Sequence, residues 1–187
     1  MKLWGKVILV VIFAVALLAA QQGNMQGGGQ GQTTPKPRLS PPGEATYTFA
    51  DGKTVFIAYS RPLMRGRKIM GDLVPYGKIW RTGANEATSL KTTADLDIGG
   101  LSVPAGSYTI YTLPGENAWK LIVNKQTGQW GTVYDEKQDL GRVDMNVGKL
   151  GPAVEQFTIK FEKTGEKSAS LILEWENTRL VVAVQEK

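Results

Sequence analysis

The sequence predicts an all-β domain over residues 45–187, an antiparallel β-sandwich of jelly-roll type built from eight to ten short strands. Three observations carry this. Apolar and polar residues alternate with a period of two along most of the stretch, glycine- and proline-containing pairs punctuate it at short intervals, and no segment sustains a 3.6-residue period over three turns.

The elements follow in order. Tyr47 and Phe49 alternate, Asp51-Gly52 supplies a hairpin turn, and Val55, Ile57 and Tyr59 share the face beyond it. Leu96 and Ile98 run into Gly99-Gly100, with Leu101 and Val103 after the turn. Residues 107–113 (SYTIYTL) and 118–124 (AWKLIVN) read as two strands joined around Pro114-Gly115, and Trp119 shares phase with Leu121 and Val123. Phe157, Ile159 and Phe161 face one way against Thr158, Lys160 and Glu162. Leu171, Leu173 and Trp175 repeat the pattern, and Asn177 is expected to turn the chain into Leu180, Val182 and Val184. One-sided alternation with tight turns means antiparallel pairing.

The first forty-four residues belong to a different regime. Lys2 and Lys6 precede an unbroken apolar run from Val7 to Ala20, with small residues before Gln21. This is the form of a cleavable signal peptide over residues 1–20. As a helix the run rises about 21 Å, short of the roughly 30 Å hydrocarbon core, so no membrane span is expected after cleavage. Residues 21–44 are rich in Gln, Gly and Pro and bury too little apolar area to offset ordering entropy, which predicts a disordered linker. The expected location is outside the cytoplasm, in the periplasm or beyond the cell.

Composition narrows the chemistry. The chain has neither cysteine nor histidine, which excludes disulfides, thiolate or imidazole metal centres, cysteine nucleophiles and a Ser-His-Asp triad. The formal charge of +5 falls by two without Lys2 and Lys6, and no basic run is dense enough to imply nucleic acid. There is no Walker A, G-x-G-x-x-G, G-x-S-x-G or H-E-x-x-H motif and so no implied cofactor. Asp135, Glu136 and Asp139 lack the spacing of a calcium loop and read as a solvated turn, and no metal site is expected.

Residues 59–90, YSRPLMRGRKIMGDLVPYGKIWRTGANEATSL, break the two-residue rhythm. Charged groups stand among aromatic ones, and four glycines with two prolines imply successive turns of fixed geometry. A long ordered loop of this kind is a common place for a site. The pieces YSRP (59–62), GRKIMGDLVPYGKIWRTGANEAT (66–88), PAGSYTIYTLPG (104–115), W-x-L-I-x-N (119–124) and QWGTVYDE (129–136) together resemble the signature of a family of exported bacterial proteins, the domain of unknown function 2911. The resemblance covers nearly all of 45–187. It implies a signal peptide and a β-rich domain, and it carries no assigned catalytic residue.

Within the loop, Arg81 and Glu86 form the sharpest pair: a structural ion pair locking the loop, or a clamp in which Arg81, with Arg61 and Arg67, holds a carboxylate, phosphate or sulfate. Asn85 suits a sugar hydroxyl or a local Asx turn. Tyr76, Trp80, Trp119 and Trp130 are candidates for a sugar-stacking platform or for core and loop anchors. The first expectation is a binding module for a polar or anionic ligand, a glycan or cell-envelope component among them, using Arg61, Arg67, Tyr76, Trp80, Arg81, Asn85 and Glu86. The alternatives are a carboxylate-based hydrolase in which Glu86 works with Asp72 or Glu136, and a structural protein with no small ligand. An exposed, concave cluster of Arg61, Arg81 and Glu86 would favour a site; burial of all three would favour architecture.

Overall fold

The computed structural model describes residues 38–187. The expected signal peptide and the linker up to residue 37 lie outside the described residues. From Pro42 onward the chain forms nine strands: β1 (Pro42–Thr48), β2 (Thr54–Ser60), β3 (Thr88–Thr92), β4 (Leu96–Ile98), β5 (Leu101–Val103), β6 (Gly106–Leu113), β7 (Trp119–Asn124), β8 (Asp139–Lys163) and β9 (Ser168–Glu186). The helical structure among the described residues is one short 3₁₀ turn, Glu136–Gln138. None of it is long and apolar enough to cross a membrane. The strand region begins at Pro42 rather than at residue 45. Proline lacks a donor, and it is accommodated as the first residue of an edge strand.

All strand pairs are antiparallel and lie in one hydrogen-bonded order, β1-β2-β3-β6-β7-β8-β9-β4-β5. The all-β antiparallel class is as the alternation predicts. The strands, however, form one continuous open sheet where two separate jelly-roll sheets are expected, because β8 serves both halves. Its first residues pair with β7, as in Met145 opposite Trp119, and the remainder pairs with β9. The sheet curls at this strand and encloses a single core. The Tyr59 hydroxyl on β2 accepts from the Ile159 amide of β8 at 2.8 Å, and the Tyr59 and Phe157 rings meet edge to face at 5.7 Å.

Two elements depart from the short-strand expectation. β8 and β9 are 25 and 19 residues long, and Asn177 does not turn the chain. The register instead shifts twice between Lys149 and Thr158, next to Pro152, which has no N–H to give a ladder. Opposite this irregularity Glu176 takes a left-handed φ of 53°. The local signal was therefore a bulge and not a turn. The Gly99-Gly100 hairpin does form as read, with φ of 58° and 93°, the two positive values that a two-residue type I′ turn requires.

β6 and β7 are buried on both faces, since the segment 125–138 covers their outer side. Tyr111 Oη donates to Val133 O at 2.6 Å, and Asn124 Nδ2 to Asp135 O at 2.9 Å. The β1–β2 turn is tied to the far end of the chain by Lys53, whose Nζ reaches Asp51 at 2.7 Å and the buried Glu186 at 2.6 Å. The Lys53 hydrogen bonds hold the Asp51 carboxyl down at about 2. Its folded value is depressed, so the stability it lends is present above the ordinary carboxyl value and is lost as pH falls. Thermal melts of wild type and Asp51→Asn should therefore converge between about pH 4 and about pH 2. Melting curves that stay parallel through that window would rule the linkage out.

Candidate functional site

The long connection 61–87 joins β2 to its neighbour β3. A hairpin needs only a few residues to do this, so the excess chain folds over one end of the core. It is pinned throughout. Met64 N donates to Glu155 O at 2.9 Å, Gly77 N to Pro114 O at 2.8 Å, and Trp80 exchanges two backbone hydrogen bonds with Thr112 of β6. The turn 69–74 closes on itself through Val74 N to Ile69 O, and the Glu176 carboxylate accepts both the Ile69 and Met70 amides at 3.1 Å. Three of the four non-glycine residues with left-handed φ sit in this connection: Arg65, Thr82 and Asn85 at 52°, 54° and 60°. Thr82 is β-branched and fully buried, a conformation that persists only where surrounding contacts over-determine it. Its hydroxyl bonds Trp80 O and Thr112 Oγ1, and its carbonyl accepts from Thr88 Oγ1. The strain lies directly beside Arg81.

The loop, residues 39–40 and Trp175 of β9 enclose a cleft of about 510 Å³, within the usual size range of ligand sites. Trp80 and Trp175 form part of its wall. The two indoles stack at 5.9 Å with 19° between planes, and Trp80 also meets Phe157 at 5.0 Å and Trp119 at 6.4 Å. Trp80 Nε1 is satisfied by Gly83 O and Trp175 Nε1 by Glu155 O. Four cations line the cleft, Arg65, Arg67, Lys78 and Arg81, and no carboxylate does.

The four differ in what they already hold. Arg67 donates to Met64 O and Leu63 O, and Arg65 to Leu39 O. Arg81 is half-buried against Gly131, where any Cβ would run into its side chain. Its Nε is buried with no hydrogen-bond partner. Among the described residues Arg81 and Lys78 enter no ion pair. The Arg81 side chain makes no hydrogen bond among the described residues, so its guanidinium keeps donors for an acceptor from outside the chain.

Of the seven residues expected from sequence, the structure brings Arg67, Trp80, Arg81 and Asn85 to this cleft. Asn85 is spent on architecture, donating to Ser60 Oγ at 3.1 Å and Ser40 O at 3.4 Å. Arg61 lies elsewhere, bonded to Phe157 O and Thr158 Oγ1. Tyr76 packs on Gly71. Glu86 is exposed and pairs with Arg38 at 2.8 Å, so the expected Arg81–Glu86 ion pair does not form. Between them Thr82 and Asn85 both take left-handed φ, and Glu86 borders a smaller recess of about 210 Å³ with Arg38. The expected cluster of Arg61, Arg81 and Glu86 is thus neither assembled nor buried as a group. The four-aromatic platform is not assembled either: Trp119 is core, and Trp130 stands exposed where its backbone bridges Glu86.

The hydrogen bond from Arg38 holds the Glu86 carboxyl below its usual range, the opposite of what a general acid at neutral pH needs. The acids of the 135–139 turn are engaged locally. Asp135 caps the 3₁₀ turn, and Arg142 bonds both Glu136 at 2.6 Å and Asp139 at 2.9 Å. Among the described residues no three acidic side chains converge as metal ligands. Burial and the Asp139 carboxylate push the neighbouring Tyr134 hydroxyl up to about 12, so it stays protonated as a donor to Asp139. Sequence reasoning missed Arg65 and Lys78 as site residues, together with Leu39, Leu73 and Trp175. Leu39 and Trp175 had no local signal, since tertiary folding alone brings them to the loop, and Leu73 stands within it as one apolar residue among several.

The family model described as a protein of unknown function, DUF2911, matches residues 40–184. No curated protein and no solved structure matches the chain.

Proposed function

The chain belongs to the DUF2911 family, and we propose that its domain is a binding module for an anionic ligand, held in the cleft of the 61–87 connection. The observation that supports this is the charge asymmetry of the cleft: four cations, no carboxylate, and an Arg81 whose buried Nε has no partner. Arg81 is the anchor, with Lys78 as a second cation of the same lining. Nothing in the geometry favours the hydrolase alternative, since Glu86 is salt-bridged at the surface and lines a different recess.

Arg81→Gln tests the reading. The variant should keep the melting temperature within about 2 °C, because no ion pair is lost, while weakening saturable binding of sulfate, phosphate or acetate by at least about tenfold. Binding followed by Trp80 and Trp175 fluorescence that is absent in both proteins, or equal in both, would defeat it.

We also propose export, on the strength of the charged and apolar N-terminal segment. Intact-mass measurement of the secreted chain should find it starting near Gln21, and a retained N-terminus would count against export.

A further inference from the structure

The cleft wall specifies more than charge. Its charged side chains, Arg65, Arg67, Lys78 and Arg81, donate hydrogen bonds and accept none. Asn85 donates through Nδ2 to Ser60 and Ser40, so its Oδ1 and the Ser40 hydroxyl are the side-chain acceptors in a lining whose other polar groups are charged donors. A sugar hydroxyl both donates and accepts, so most donors of a neutral glycan would face cations. A group that only accepts is matched to this lining: a carboxylate, a sulfonate or a phosphate ester.

Apart from Ser40 and Asn85, the rest of the wall is carried by apolar and small residues. Leu73 is 44% exposed and Leu39 68% exposed at the rim, and Trp80 with Trp175 lies within. A free inorganic anion would occupy a small part of about 510 Å³ and leave that apolar surface wet. Exposed leucines on two separate segments facing one cleft are surface that an apolar body of the ligand would cover. The wall is also held in place before any ligand arrives. The Glu176 carboxylate fixes the turn that carries Leu73, and Arg65 holds the Leu39 carbonyl at 3.0 Å.

Resting on the anion-binding reading above, we infer that the ligand is an amphiphilic organic anion, with its acceptor-only head on Arg81 and Lys78 and its apolar chain or ring along Leu73, Leu39 and Trp80. A single carboxylate-bearing chain is the simplest member of the class.

The test is a homologous series of carboxylates titrated into the purified protein: acetate, butyrate, hexanoate, octanoate. Burial of each methylene should tighten binding about threefold to fourfold until the cleft is filled. Arg81→Gln should weaken every member by a similar factor. Leu73→Ser, at a 44% exposed position, should flatten the slope along the series. Affinity that is flat along the series, or a slope indifferent to Leu73→Ser, overturns the amphiphile and leaves the anion module standing. No binding by any carboxylate or by sulfate overturns both. Cosedimentation with phosphatidylglycerol vesicles without a chain-length slope would assign the cations to a membrane surface and likewise overturn the inference.

Discussion

Trp175→Ala is expected to destabilise the protein by about 3–5 kcal/mol, among the largest losses that a single truncation produces. Trp175 is 2% exposed on β9, stacked on Trp80 and in contact with Phe157 at 5.8 Å. Removing the indole therefore does more than empty a volume. Trp80 loses the surface on which it stacks, and Glu155 O loses the Nε1 donor while still accepting from Met64 N. For a domain of this size the melting temperature should fall on the order of 10–20 °C. Trp175→Phe keeps an aromatic face but no donor and should lose less than half as much. Chemical denaturation separates this from a change in the unfolded chain: the midpoint should move while the slope with denaturant stays constant. A loss below about 1 kcal/mol would mean that the aromatic cluster does not anchor the loop to the sheet.

That cluster also marks where sequence reasoning stops. Period-two alternation at Phe157, Ile159 and Phe161 is a local property of a half-buried strand, so it was legible, as was the loop, whose glycines and charges interrupt the rhythm. The turn at Gly99-Gly100 was legible for the same reason. The continuity of β8 was not. A long strand that changes partners midway looks like two short ones, and the bulge at Glu176 imitates a turn. Charge pairing failed in the same way. Arg81 and Glu86 stand five positions apart, yet Thr82 and Asn85 both take left-handed φ and no helix or strand period relates their side chains. The carboxylate finds Arg38 instead, 48 residues away in a stretch whose composition reads as linker. The cleft's apolar wall, from Leu39, Leu73 and Trp175, is assembled from three distant segments and left no trace in any one of them.

Glu176 is the residue on which the site's rigidity converges, and its substitution should have the second largest effect. Its side chain accepts from two consecutive amides, Ile69 and Met70, both buried. Each donor left without an acceptor costs about 1–3 kcal/mol, and a charged acceptor stands at the upper end of that range. Its backbone adds an opposing contribution, because a φ of 53° is strained for any side chain by about 1–2 kcal/mol and free for glycine. Three variants separate the two. Glu176→Ala loses both acceptors and keeps the strain, so it should be the least stable. Glu176→Gly loses both acceptors and sheds the strain, recovering about 1 kcal/mol relative to alanine. Glu176→Gln retains one neutral acceptor and should fall between alanine and wild type. Amide hydrogen exchange gives the site-level readout. Ile69 and Met70 should lose protection in the alanine and glycine variants while β3 and β6 retain theirs, because the turn opens locally. Leu73 rides on that turn, so ligand affinity should fall with the exchange protection and not with global stability. If Glu176→Gly matches or exceeds wild type and the two amides stay protected, the carboxylate does not hold the turn. The rigidity of the cleft wall would then have to come from the backbone bonds of the 69–74 turn alone.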